Sequence, residues 1–243
     1  MNITADLLKS IILKKGYIWY DEKPNLIGIR TTLQVPDIFN DIFCLVWKQP
    51  GMPPPDILGK QKWLNSWLYV GANGAPLSED GDAGSNTEFA LKSYIDTVNT
   101  YRLKMWVITT DPGTYWLNNP MSTLGTAVYK PGQYIDAYQI GFHHNKPDHP
   151  ALIQSGAMVE VYRDNDKDNT AEEVTKVEKG YFGCNIHRAN TTGKTMAIGK
   201  WSAGCIVFQV KSDHNQLMTI VNNYKSKVNN KFTFTLLKET DLA

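Results

Sequence analysis

Apolar residues recur along this chain in two different periods, and each period predicts one kind of element. Residues 4–15 place apolar side chains at helical spacing, with Thr4 as the N-cap and Gly16 just past the end. Residues 211–227 repeat the same period, and Ser212 is the expected N-cap there. Both segments are therefore predicted to be amphipathic helices.

Short apolar or alternating runs, bounded by turn residues, predict strands along most of the chain. These runs are 17–20, 26–33, 42–48, 105–110, 127–129, 134–142, 157–163, 183–187, 205–210 and 232–237. Residues 49–59 contain three consecutive prolines and predict a stiff connector, whereas 71–87 predict a long surface loop. Many short strands with few helices favour a mainly β fold with peripheral helices.

Two of the predicted strands carry a histidine and a cysteine, eighteen positions apart: His187 and Cys205. A cysteine attacks an acyl group as the thiolate, and a nearby imidazole is the usual means of deprotonating it. Gly204 directly precedes the sulfur and allows a tight turn in which two successive backbone N–H groups face one oxygen. The sequence therefore suggests a nucleophile, a base and an oxyanion hole formed by the N–H groups of Gly204 and Cys205.

Residues 183–188 and 202–207 resemble the active-site signature of the L,D-transpeptidase (YkuD-like) family. Four positions match that motif residue by residue: His187 as the histidine, Ser202 as the Ser/Thr, Gly204 as the glycine and Cys205 as the nucleophile. Residues 126–134 are similar to the family's upstream hairpin, less specifically. The resemblance covers about residues 105–210.

The chain departs from the family's pattern at Ala203, where most members have a second histidine, and in the apolar residues 206–208. It is similar instead to a divergent branch found in phages and phage-like particles, which has a Trp-Ser-Ala-Gly-Cys core. The segment Thr109 to Gly113 matches that branch as well.

The resemblance implies a β-sandwich of mixed sheets, with a catalytic domain at 103–243 and residues 1–102 integrated with it. It also implies a cysteine-dependent transpeptidase or peptidase that acts on peptidoglycan stem peptides without a cofactor. Arg188, Trp201 and Ala203 are assigned to substrate contact, although Arg188 at a strand end is equally well read as a solvated residue.

Two roles remain undecided at this point. Ser202 either orients His187 or contacts substrate, or else it caps a turn. Because no acidic residue is an evident third member, a backbone carbonyl is the candidate to orient the imidazole of His187.

An alternative belongs to another class of function: a structural or adaptor component of a phage-like particle that has lost the chemistry. Ala203 and the apolar residues after Cys205 favour it, and the N-terminal helix and the 71–87 loop would then be attachment elements. A papain-like peptidase is disfavoured because those enzymes place the cysteine before the histidine.

Other chemistry-bearing residues are given plainer interpretations. His143, His144 and His149 are expected to form a polar loop tip beside the substrate groove rather than a zinc site, since adjacent histidines on a strand point apart. The acidic residues 164–169 are interpreted as a turn rather than a calcium loop. No metal is expected.

Composition limits the partners and the location. The net charge of +1 over 243 residues gives no electrostatic reason to expect nucleic acid. Three cysteines argue against a disulfide framework; Cys44 is expected to be an inert core thiol, and Cys184 to face away from His187. The N-terminus lacks a basic segment, and no run of about eighteen apolar residues occurs, so neither a signal peptide nor a membrane span is expected. A cell-wall enzyme of this kind would stay in the cytoplasm until lysis, a virion or an injection apparatus released it.

Overall fold

A computed structural model of the protein describes residues 2–33 and 35–243. Strands dominate it: β1 (Asn25–Arg30), β2 (Asp41–Trp47), β3 (Arg102–Thr109), β4 (Thr126–Tyr129), β5 (Gly132–Phe142), β6 (Pro150–Gln154), β7 (Val159–Asp164), β8 (Val177–Gly180), β9 (Ile186–Arg188), β10 (Ile206–Phe208) and β11 (Phe232–Lys238). The helices are α1 (Ala5–Lys14), α2 (Ile57–Ser66), α3 (Ser85–Thr97), α4 (Thr114–Asn118) and α5 (Lys211–Tyr224). The prediction of a mainly β fold with peripheral helices is confirmed.

Eight of the strands close into a barrel, in the order β1-β11-β5-β6-β9-β10-β3-β2. The barrel closes because β1 pairs in parallel with β11 on one side and antiparallel with β2 on the other. Strands β4, β7 and β8 form a separate antiparallel sheet. The main sheet is therefore a closed barrel, where a sandwich of mixed sheets was expected. Both β1 and β2 lie within the first 102 residues, so this part of the chain supplies two strands of the barrel.

Large aromatic side chains fill the barrel. The Phe43 ring packs against Phe208, Phe234 and Trp106, with ring centroids 5.0–6.4 Å apart. Such contacts contribute about 0.5–1.5 kcal/mol per pair beyond the burial of area. Strand β4 joins the same core through Tyr129, which packs against Phe234. None of the helices in the described ranges is both long and apolar enough to cross a membrane.

Helix α1 covers a second apolar layer on the outside of the barrel. Its Leu8 and Ile12 pack with the outward-facing residues of β1, β2 and β11, including Cys44. The N-cap is Thr4, as predicted, since its hydroxyl accepts from the Leu7 N–H at 3.1 Å. Cys44 is fully buried, and burial raises the pKa of its thiol to about 12, which agrees with the inert core thiol expected.

Several local predictions were wrong. Residues 17–20 form no strand, and the strands β6 and β8 were not predicted. Helix α5 begins at Lys211 with Val210 at its N-cap, not Ser212. Helices α2 and α3 occupy segments next to the proline and glycine runs, where Asp56 caps α2 by accepting from the Gly59 N–H.

Candidate active site

A cavity of about 520 Å³ opens on the outer face of β9 and β10. Three segments line most of it: residues 182–185, the turn 201–205 (the cysteine turn) and the loop 143–149 between β5 and β6 (the histidine loop). Four of the five histidines of the chain line this one cavity: His143, His144, His149 and His187. Lys146 and Lys200 add positive charge, and no Asp or Glu of the described residues contributes to the lining.

Strand pairing brings the turn that carries Cys205 beside the strand that carries His187. Strands β9 and β10 run parallel, with Val207 opposite His187, and Cys205 lies two residues before Val207. Both Cys205 and His187 line the cavity. Cys184 packs in the core cluster but also borders the cavity, and it lies in the irregular segment before β9, so the strand alternation from which it was predicted to face away from His187 does not apply to it.

His187 is held in one tautomer by a backbone carbonyl. Its Nδ1 lies 2.7 Å from the Arg188 carbonyl oxygen, which can only accept, so Nδ1 carries the proton. Nε2 is left as a lone pair, buried and without a hydrogen-bond partner in the described structure. Burial, followed by the charge of His143, holds the pKa of His187 well below its usual value. The base is therefore neutral and presents its free lone pair, which is the form that takes a proton.

Cys205 is half-buried and is not hydrogen-bonded to His187 among the described contacts. Its thiol donates instead to the Gly183 carbonyl oxygen, with Sγ at 3.4 Å. Burial raises the pKa of the Cys205 thiol to about 11, and a hydrogen bond from the Asn185 backbone offsets only part of this. The resting pair is thus a neutral thiol and a neutral imidazole, not a thiolate–imidazolium ion pair.

Ser202 makes its hydrogen bonds within the cysteine turn and not with His187. The buried Ser202 hydroxyl donates to the Cys205 carbonyl at 2.8 Å, and its oxygen accepts from the Gly204 N–H at 3.3 Å. Of the two open roles of Ser202, this geometry corresponds to the turn cap. The Gly204 N–H is engaged inside the turn, so the Cys205 N–H remains as the candidate oxyanion donor.

Gly204 is required where the turn passes β4. Its φ is +119°, and a Cβ at this position would lie 2.6 Å from the carbonyl oxygen of Ala127. The segment Thr109 to Gly113 supports the turn from the other side, because the Gly113 N–H donates to the Ser202 carbonyl at 2.9 Å. Gly204 therefore holds a strained backbone conformation that only glycine tolerates, and contacts with β4 and with Gly113 fix the position of the turn and of the Cys205 sulfur.

Trp201 and Ala203 line the cavity, whereas Arg188 does not. The Arg188 side chain is only 4% exposed, and its guanidinium donates to the backbone carbonyls of Asn190 and Asp148 at 3.0 and 2.8 Å. Neither interpretation of Arg188, as a substrate fork or as a solvated residue, fits this position. The guanidinium ties the histidine loop to the end of β9.

The histidine loop flanks the cavity, but the expectation that adjacent histidines point apart was wrong: His143 and His144 lie in a 3-10 turn rather than a strand, and their ring centroids are 4.0 Å apart. Within the described chain, the grouping of potential metal ligands that converges within 4.8 Å is found elsewhere, at the exposed carboxylates of Asp166, Asp168 and Glu172. That grouping belongs to the polar turn after β7, far in sequence from the cysteine turn. The cavity therefore offers imidazoles for hydrogen bonding and proton transfer.

Three contacts at the site were not predicted from the sequence. The His143 ring stacks on His187, with centroids 3.9 Å apart and an interplanar angle of 17°. Asn185 lies between His143 and β6, and Gln154 accepts through its Oε1 from the N–H groups of Phe182 and Gly183 at 2.9 and 3.0 Å. Asn185 stands two residues before His187, in the irregular segment that leads into β9, and this closeness in sequence was the one available signal.

Comparisons with protein-family models, with curated proteins and with solved structures find no match for this chain. The functional argument therefore depends on the geometry and chemistry of the cavity.

Proposed function

We propose that the protein is a cysteine-dependent acyl-transfer enzyme, with Cys205 as nucleophile and His187 as general base. One observation carries the proposal: one cavity is lined both by a cysteine and by a histidine whose buried Nε2 has a free lone pair. A buried polar atom without a partner costs free energy, about 1–3 kcal/mol, so a fold that retains one at a cavity wall suggests a role for it.

In the proposed reaction the thiol leaves the Gly183 carbonyl and turns towards His187. As Sγ attacks a peptide carbonyl carbon, Nε2 takes the thiol proton, and the Cys205 N–H stabilises the oxygen that becomes negative. The C–N bond then breaks, and His187 returns the proton to the leaving amine. A thioester remains on Cys205. Water or an amine attacks it next, gives its proton to His187, and the thiol is released and reprotonated.

A neutral general base suits this resting state. Because the thiol is protonated and His187 is neutral, the proton moves only when the attack develops charge on sulfur, as in serine hydrolases. The Arg188 carbonyl stabilises the imidazolium through its hydrogen bond with Nδ1–H, and no carboxylate is needed for orientation.

The lining of the cavity favours a substrate with carboxylate groups. Among the described residues, Lys146 and Lys200 bring positive charge to its wall and no carboxylate does, while the aromatic side chains of Trp116, Phe182 and Trp201 provide apolar surface. Peptidoglycan stem peptides carry free carboxylates on short side chains, and the motif resemblance points to the same polymer. We therefore propose stem peptides as the substrate, and a divergent L,D-transpeptidase-like origin for the domain.

A second candidate is a scaffold that keeps the site without the chemistry, as a structural or adaptor component of a phage-like particle. The raised pKa of the Cys205 thiol and its hydrogen bond to Gly183 favour this candidate, since neither activates the sulfur. The two candidates differ in a measurable way, because only an enzyme forms an acyl-enzyme on Cys205.

Digestion of purified peptidoglycan, followed by mass spectrometry of the muropeptides, tests the proposal. We expect the wild-type protein to release or exchange stem-peptide amines and Cys205→Ala to do neither. Cys44→Ala is the matched control, because it removes a buried thiol in the layer beneath α1. Equal product patterns from wild type and Cys205→Ala, with both variants folded, would refute the assignment and leave the scaffold.

A further inference from the structure

We propose that His143 is a positioning residue for His187: stacked on its face, it holds the ring in the plane in which Nδ1–H meets the Arg188 carbonyl, and so keeps the tautomer in which Nε2 is free to meet the Cys205 thiol. The inference deepens the proposed function, and its kinetic consequences rest on that function. Its structural consequences concern the imidazole of His187 alone and hold whether or not the protein turns over.

The stack itself is tight. The two rings are nearly parallel, with an interplanar angle of 17° and centroids 3.9 Å apart, so His143 covers one face of His187. His149 approaches the same ring edge-on at 5.3 Å. A ring enclosed in this way has little freedom to rotate about χ2, the torsion that would otherwise carry Nε2 away from the sulfur.

His143 is anchored independently of His187. The Oδ1 of Asn185 accepts from the Gln154 N–H at 2.9 Å, which directs its Nδ2 at His143 Nδ1, 3.1 Å away. That nitrogen must therefore be an acceptor, and the proton of neutral His143 sits on Nε2. The His143 backbone is held as well, because its N–H donates to the His149 carbonyl at 2.9 Å.

The Arg188 carbonyl links His187 to the histidine loop. It lies 2.7 Å from His187 Nδ1 and 3.1 Å from His149 Nε2, and a carbonyl oxygen has two lone pairs for two donors. The histidine loop thus fixes His187 at its face through His143, and shares with it one acceptor through His149.

The charges around both rings oppose protonation. His187 faces His143, His149 and His214, together with the backbone carbonyl of Arg188. His143 faces His144, His149 and Lys146. Two stacked imidazoles at this distance repel strongly when both are charged, so the pair holds at most one extra proton. Neutral His187 with its proton on Nδ1 is the state that the arrangement favours.

The test is nitrogen-15 NMR of the imidazoles, in full-length protein labelled at histidine, from pH 5 to pH 8. We expect wild-type His187 to show one neutral tautomer, protonated at Nδ1, throughout this range. His143→Ala should give a mixture of tautomers or a titration of His187 within the range. His143→Phe keeps a flat ring over His187 and should keep the single tautomer. His144→Ala removes a neighbouring exposed histidine and should leave the His187 signals unchanged.

Kinetics add the second readout. If the cavity is an active site, His143→Ala lowers kcat by about tenfold with little change in KM, a part of the roughly 10²–10⁴-fold that a positioned base contributes. His143→Phe recovers most of that loss. An unchanged His187 tautomer in His143→Ala would overturn the inference. Should that variant fail to fold, Asn185→Leu, which removes the anchor of His143, must broaden the tautomer distribution, and an unchanged one refutes the inference. An inactive wild type with the expected spectra would instead count against the proposed function alone.

Discussion

Alkylation of Cys205 as a function of pH distinguishes a neutral thiol–imidazole pair from a preformed ion pair. Burial raises the pKa of this thiol to about 11, whereas a free cysteine titrates near 8.5. At pH 7 the thiolate population is then lower by about 300-fold than in a free thiol. Thiolates of higher pKa are better nucleophiles, with a Brønsted coefficient of about 0.4–0.5, which returns about 10–20-fold. The net expectation is a reaction about 20-fold slower than that of a free thiol.

The assay is iodoacetamide labelling between pH 6 and pH 9.5, read by mass spectrometry of the peptide that contains residue 205. Cys205→Ala corrects for labelling at the two buried cysteines. We expect the rate to keep rising about tenfold per pH unit up to pH 9.5, whereas a free thiol levels off near its pKa of about 8.5. His187→Gln should leave the profile unchanged, because the thiol donates to Gly183 rather than to the imidazole.

Two results would refute this reasoning. A rate that levels off below pH 7 means that the thiolate is already formed in the free protein. A drop of tenfold or more at pH 6–7 in His187→Gln means that the imidazole stabilises that thiolate. Either outcome would leave the nucleophile in place but replace general-base attack by a thiolate–imidazolium mechanism.

Three further predictions concern the turn, the charge of the cavity and acid stability. Gly204→Ala should destabilise the fold by more than about 1–3 kcal/mol in urea unfolding, because the added Cβ would both strain a positive φ and contact a backbone oxygen of β4. The control is Gly193→Ala, at a position that also has a positive φ but where a Cβ meets no neighbouring atom. An equal loss of stability in both variants would contradict this account. Lys146→Glu combined with Lys200→Glu should raise KM for an anionic stem peptide while sparing the amidated peptide, and a matching effect on both peptides would exclude charge recognition. Burial lowers the pKa of His214 to about 3, so as pH falls the unfolded chain binds a proton at this residue before the folded protein does. The free energy of unfolding is therefore unaffected by this residue above about pH 6.5 and decreases by up to about 4–5 kcal/mol as pH falls towards 3. His214→Phe should flatten that part of the stability profile measured by denaturation.

Local patterns sufficed for the parts of the fold that are themselves local. The helical spacing and Thr4 predicted α1 to within a residue at each end, because the cap hydroxyl and the apolar face are both set by nearby positions. The strand patterns were less reliable: they predicted a strand at 17–20 that does not form and missed β6 and β8, and helices α2, α3 and α4 were not predicted. Closure of the barrel could not be predicted, because it depends on β1 pairing with β11 across two hundred residues, and the residues of one strand do not specify its partner.

The site divides in the same way. Residue type, spacing and the motif resemblance singled out Cys205, His187 and Gly204, whereas Cys184 lies before the strand that was expected to turn it away from His187. Only the tertiary structure showed that a loop between β5 and β6 stacks His143 on the base and that a carbonyl selects its tautomer.

Arg188 and the Cys205 sulfur show most clearly what the sequence alone does not predict. Nothing in the neighbouring residues distinguishes a guanidinium that binds substrate from one that ties down a loop, because its acceptors are backbone carbonyls brought near by folding. The sequence determined which atoms are able to react; the pKa of the thiol, its hydrogen bond to Gly183 and the free lone pair of His187 were decided by burial and by contacts between distant segments. Protonation energies depend on the solvent and charges around a group, and these exist only once the chain has folded.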